Sequence, residues 1–301
     1  MNRPLKIFCM CFSIVVLLVG CGKKGEESVD VAAKKAELIK TVDNAISADG
    51  VSIAYEVRGE GEPTLVFVHG WCCDRSYWKE QLSYFAEKYK VVAIDLAGHG
   101  ESGLERDDFT MAAFGEDVVS VVEKLSLRYV ILIGHSMGDK VILEAARRIP
   151  KHVIGLVGAD TFNDDTTIEQ MNESLVQFRS NFHEITRSFV RSMFPPTADS
   201  GLVEKVVADM SSAPPEVGLS AVEEYYKHDL ILALQGLNFP IRTINSDLNP
   251  TELDVIHQYA PSFKVMWMSG VGHFNMMEDP ETFNRLLEET IQELVQMKEL
   301  E

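Results

Sequence analysis

A serine stands between two glycines in the stretch GHSMG at residues 134–138, directly after the apolar run YVILI and before DKVILEAARR. A hydroxyl is a weak nucleophile unless a base, most often an imidazole held by a carboxylate, takes its proton. Glycines at that spacing permit a sharp strand-to-helix turn that lifts the Ser136 hydroxyl above a sheet and aims a helix N-terminus at it. His273, in GVGHFNMMEDPETF, follows an apolar strand signal on a loop that can return over the sheet as the base. Asp247 closes IRTINSD at another strand end and is the expected acid; Asp160, closing GLVGAD, is its rival.

These residues need elements that bring their loops to one edge. GVSIAYEVRG alternates like a half-exposed strand, whereas TLVFVHG and KVVAIDLAG are continuous apolar runs like buried parallel strands. SYWKEQLSYFAEKY, TMAAFGEDVVSVVEKLS and MGDKVILEAARRIP carry helical spacing, and YVILIGHS and VIGLVGAD read as strands between and after them. The alternation predicts an α/β fold, a mostly parallel sheet with helices on both faces. From 161 to about 237 the strand rhythm gives way to helical segments, which predicts a cap over the strand C-termini, where ligands bind in such sheets. Met171, Leu175, Phe178, Phe182 and Phe189 form the stripe that packs this cap onto sheet or ligand. The rhythm resumes with FPIRTINSD, and the last helix is expected to start with Asp279 as N-cap and Pro280 as first residue.

From about residue 50 to the end the chain resembles the α/β-hydrolase superfamily in its capped, serine-nucleophile branch. GHSMG matches the family's nucleophile turn, VFVHGWCCDRSYW its loop after the third strand, AIDLAGHGES its Asp-x-x-Gly-x-Gly-x-Ser loop, and GHFNMMEDPETF its histidine loop. The resemblance implies that the backbone N–H groups of Trp71 and Met137 form an oxyanion hole. The order Ser136, Asp247, His273 is the one expected of the family, and favours Asp247 over Asp160. It implies a serine hydrolase that cleaves a small-molecule carboxylic ester or related acyl bond through an acyl-enzyme, with no cofactor. A carbon–carbon bond hydrolase and a cofactor-free perhydrolase remain open, as does a tethered ligand- or partner-binding protein without catalysis, because the fold is shared by all of them. Trp71, Trp78, Met137, Phe274, Met276 and Met277 are candidates for an apolar acyl pocket. The remaining histidines are read as structural, and HEITR at 183–187 lacks the second histidine of a zinc motif, so no metal site is expected. One departure stands out: Asp139 occupies a position where relatives commonly carry glycine, an acid that suits the helix dipole yet offsets its pull on an oxyanion at Ser136. On that reading, replacing Asp139 with glycine is expected to leave the rate on simple esters unchanged or raise it.

The N-terminus reads as an address. Arg3 and Lys6 precede the short apolar run IFCMCFSIVVLLVG, and Leu18, Val19, Gly20 and Cys21 resemble a bacterial lipobox. That resemblance implies a signal peptide over 1–20, lipid on Cys21, a tether over 21–44, and a hydrolase domain over 45–301 held outside the cytoplasm at a bacterial membrane. Gly22 after the cysteine is compatible with outer-membrane sorting where a second membrane exists. With 46% hydrophobic and 25% charged residues in 301, the chain can bury a large core. A formal net charge of -18 argues against a nucleic-acid partner, since phosphate binding needs clustered Lys and Arg. Cys72 and Cys73 are adjacent, a spacing poorly suited to a disulfide, and are expected as free thiols.

Overall fold

The computed structural model describes residues 40–162, 168–248, 251 and 253–300. The expected signal peptide, Cys21 and most of the expected tether lie outside them. The tether does not extend to Asn44, because strand β1 (Thr41–Ile46) begins inside it and pairs antiparallel with β2 (Ser52–Arg58). A tight turn joins the two, with Ser47 N–H donating to the Val51 carbonyl at 2.8 Å.

The sheet has eight strands in the order β1-β2-β4-β3-β5-β6-β7-β8. β1, β2 and β4 pair antiparallel; β3 (Thr64–Val68), β4 (Val91–Ile94), β5 (Val130–His135), β6 (Val153–Ala159), β7 (Ile241–Ser246) and β8 (Lys264–Met268) run parallel. Strands β3 to β7 are buried along their whole length, and β3 to β6 accordingly read as largely apolar runs instead of alternating ones, whereas β7 (IRTINS) buries Arg242, Thr243, Asn245 and Ser246. β8 is an edge strand, and Trp267 is 43% exposed on it.

Helices cover both faces. A 3₁₀ turn (Arg75–Trp78) leads into α1 (Lys79–Phe85), followed by α2 (Met111–Lys124) and α3 (Gly138–Arg148). Between β6 and β7 the described chain forms α4 (Ile168–Ser180), α5 (Phe182–Ser192), α6 (Ser200–Ser211), α7 (Pro215–Lys227) and α8 (Leu230–Leu234). α9 (Leu253–Tyr259) precedes β8, and α10 (Asn275–Glu278) and α11 (Pro280–Glu299) close the fold. Asp279 caps α11 by accepting from Thr282 N–H at 3.0 Å, with Pro280 at the first position, where its missing N–H leaves nothing unpaired.

Candidate active site

The turn that carries Ser136 is fixed by close backbone approach. A Cβ at Gly134 would stand 2.4 Å from the Gly138 carbonyl oxygen, and one at Gly138 would meet the Val68 and His69 carbonyls at 2.9 Å. Only glycine lets α3 start this close to β5 and to the loop after β3. Ser136 itself sits at φ 51°, a left-handed conformation uncommon outside glycine. Strain of this kind persists where the surroundings over-determine it. Here Ser136 N–H donates to the Ala159 carbonyl at 3.2 Å, and Asp139 N–H to the Ser136 carbonyl at 2.9 Å.

Ser136 opens onto a cavity of about 480 Å³ that is also lined by His135, His273, Trp71 and Met137. His273 is held from three sides. Its N–H donates to the Met193 carbonyl at the end of α5 (2.9 Å), and its carbonyl accepts from His135 Nε2 (2.9 Å). Its Nδ1 lies 2.7 Å from Asp160 Oδ2. Glu278 on α10 steadies the same loop, accepting from the N–H groups of Gly272 (2.9 Å) and Phe274 (3.2 Å) on either side of His273. Burial pushes the Glu278 carboxyl upward, against the pull of those two donors.

The expectation for the acid is corrected by this geometry. Asp247 is exposed, and its Oδ1 accepts from Gly270 N–H at 3.4 Å. Asp160, with a fully buried side chain, is the carboxylate against His273. The reason is local. Asp160 turns left-handed at φ 48° as the chain leaves β6, and its second oxygen accepts from Ser246 N–H on β7 at 2.7 Å. Asn245 clamps the next residue, donating to the Thr161 carbonyl (2.7 Å) and accepting from its N–H (3.2 Å). Phe162 N–H then donates to Asp139 Oδ2 at 3.2 Å. Asp139, 1% exposed, therefore supports the turn that carries Asp160. That adds a role which the helix-dipole reading did not give it.

Trp71 and Met137 line the cavity wall; among the described residues neither backbone N–H has a hydrogen-bond acceptor. The Trp71 indole is tied to the helices above the sheet. Its Nε1–H donates to the Gly218 carbonyl in α7 at 2.8 Å, and its ring meets Phe178, Phe182 and Phe189 edge-on. Much of the aromatic stripe along α4 and α5 thus packs around Trp71. Of the other pocket candidates, Phe274 lines the cavity, whereas Trp78 and Met276 are fully buried in the core.

Two groups on the wall keep the characters the sequence suggests, a structural histidine and a free thiol. His135 braces the histidine loop: its Nε2–H holds the His273 carbonyl, and burial, with the adjacent His273, pushes its pKa far down, so it is neutral. Cys73 lines the cavity as a free thiol beside free Cys72. Burial raises both thiols well above their ordinary pKa, which keeps them protonated. Glu278 and Asn245 carry no motif of their own and show only in three dimensions.

The family model for the alpha/beta hydrolase fold matches residues 63–200. The chain is 24% identical over 247 residues to the Karrikin insensitive 2 receptor CA of Petunia hybrida, covering 75% of this chain and 90% of the receptor. It is 24% identical over 254 residues to 3-oxoadipate enol-lactonase 2 of Acinetobacter baylyi, covering 81% of this chain and 95% of the relative. Among solved structures, a thermophilic esterase from Thermogutta terrifontis superimposes with a TM-score of 0.75 at 23% identity, covering 84% of this chain and 99% of the esterase.

Proposed function

We propose that this chain, whose residues 63–200 match the family model for the alpha/beta hydrolase fold, is a carboxylesterase-like serine hydrolase of the α/β-hydrolase superfamily acting through an acyl-enzyme on Ser136. The observation that carries the reading is the 2.7 Å contact between His273 Nδ1 and Asp160, with His273 and Ser136 lining one cavity. In the proposed reaction His273 Nε2 takes the Ser136 proton as Oγ attacks the ester carbonyl. Asp160 keeps the other imidazole proton on Nδ1 and stabilises the imidazolium. The Trp71 and Met137 N–H groups donate to the developing oxyanion. His273 then returns the proton to the departing alcohol, and water, deprotonated by His273, releases the acid and regenerates Ser136.

Replacing Ser136 with alanine is expected to remove hydrolysis of short 4-nitrophenyl esters, a loss on the order of 10⁶ in kcat, while circular dichroism stays unchanged. Retained turnover overturns the assignment. A second reading, a ligand-binding protein on the same fold, draws on the similarity to a plant receptor. A fluorophosphonate probe separates the two, since labelling at Ser136 requires an activated hydroxyl and a folded but unlabelled protein favours the binder. We further propose that Cys21 carries a lipid anchor on an exported chain. Changing Cys21 to serine is then expected to move the protein from the membrane fraction to the soluble one, and an unchanged distribution counts against the anchor.

A further inference from the structure

The walls of the cavity above Ser136 differ in chemistry. On α4, Gln170, Glu173, Ser174 and Gln177 recur at helical spacing and line one side. Phe189, Met193, Met210, Val222 and Phe274 line much of the rest. Lysine and arginine are absent from the described lining residues, and Glu173 is the one carboxylate among them. The charges behind the wall have the same bias. Asp160 stands fully buried behind His273, and Glu278 lies under the same loop. Lys140, the neighbouring cation, directs its ammonium to the Tyr225 carbonyl at 3.0 Å and over the Tyr225 ring at 3.7 Å, and it follows the buried acid Asp139. The whole chain carries a formal charge of -18, so the field outside the cavity adds to the field within it.

We infer that this cavity selects compact esters with neutral or cationic acyl groups and rejects anionic ones, with Glu173 as the residue that sets the preference. The inference rests on the reading of Ser136 as the nucleophile. An acyl chain that reaches past Ser136 along the apolar wall places its far end under α4, where a carboxylate meets Glu173 with no lysine or arginine among the described lining residues to receive it. A carboxylate at about 8 Å from Glu173, with an effective dielectric of about 20 to 40, is disfavoured by roughly five- to thirtyfold. An ammonium at the same place gains by a comparable factor.

The experiment compares 4-nitrophenyl pentanoate, 4-nitrophenyl monoadipate and 4-nitrophenyl 5-(trimethylammonio)pentanoate, each corrected for uncatalysed hydrolysis, on the full chain at low and raised salt. For the native protein kcat/KM on the monoadipate is expected to fall at least fivefold below the pentanoate, and the gap to shrink with salt. Glu173→Gln should narrow the ratio of anionic to neutral turnover, and Glu173→Lys should raise it above the glutamine variant's. Equal turnover of anionic and neutral esters, or one ratio shared by all three proteins, overturns the charge selection. Failure of the Ser136 reading looks different: the neutral ester is not turned over at all, or Ser136→Ala retains its hydrolysis.

Discussion

At the scale of single residues the decisive choice is between two aspartates at neighbouring strand ends. Asp160 is buried against His273 Nδ1, whereas Asp247 is exposed beside Gly270. Only a carboxylate in contact with the imidazole can fix its tautomer and stabilise its positive charge. Asp160→Asn is therefore expected to lower kcat on a short ester by about 10³ to 10⁴, and Asp247→Asn to change it by no more than about threefold. Steady-state kinetics on both variants checks this, and the reverse ranking returns the role to Asp247. The sequence presents both as acids at strand ends, and the order Ser136, Asp247, His273 favours Asp247. What distinguishes them is the left-handed turn at Asp160 and the Ser246 N–H beyond it, both properties of the folded β6 and β7 ends.

At the scale of elements, Asp139 shows how one side chain couples a helix to a loop. It sits in the first turn of α3 and accepts from the N–H of Phe162, two residues past Asp160, where Phe162 itself holds φ 58°. Asp139→Ala leaves that buried N–H without an acceptor at a cost of about 1–3 kcal/mol and frees the turn that aims Asp160. Stability measured by urea unfolding should drop by that amount, and kcat on a short ester should fall about tenfold or more. Unchanged kcat in a destabilised variant would show that Asp139 supports the fold without positioning the acid. Glu278 plays the corresponding part for the histidine loop from α10, and Trp71 joins the loop after β3 to α7. These ties cross elements far apart in the chain, so no local pattern in the sequence announces them.

At the scale of the whole molecule, buried histidines make stability depend on pH. Burial pushes His69 down to about 4 and His99 down to about 3, and holds His135 far below its ordinary value. Each imidazole is proton-free in the folded chain where the unfolded chain, with an ordinary value of 6.5, already binds a proton. Stability is therefore complete above pH 6.5 and declines as pH falls toward the folded values, by about 1.4 kcal/mol per pH unit for each histidine. Asp95, Asp117 and Glu278 are pushed upward by burial and act in the opposite sense, and each accepts hydrogen bonds that oppose that push. The urea midpoint is thus expected to be clearly lower at pH 5.5 than at pH 7.5. An equal midpoint at the two values would falsify the burial argument.

The amino-acid sequence alone determined that β3 to β6 are buried, because parallel strands covered on both faces are largely apolar, and it determined the Ser136 turn, because only glycine permits the approaches at positions 134 and 138. It also marked His273 as the candidate base, on the loop between the last strand and the last helices. Tertiary structure decided the rest: that Asp160 and not Asp247 meets His273, that Asp139 holds the turn behind it, that the chain joins the sheet as early as Thr41, and that Glu173 stands over the cavity. The division has a physical cause. Burial and backbone crowding are written in the periodicity and size of consecutive side chains, whereas the partner of a carboxylate is set by which strand ends lie side by side, and that is fixed only when the sheet assembles.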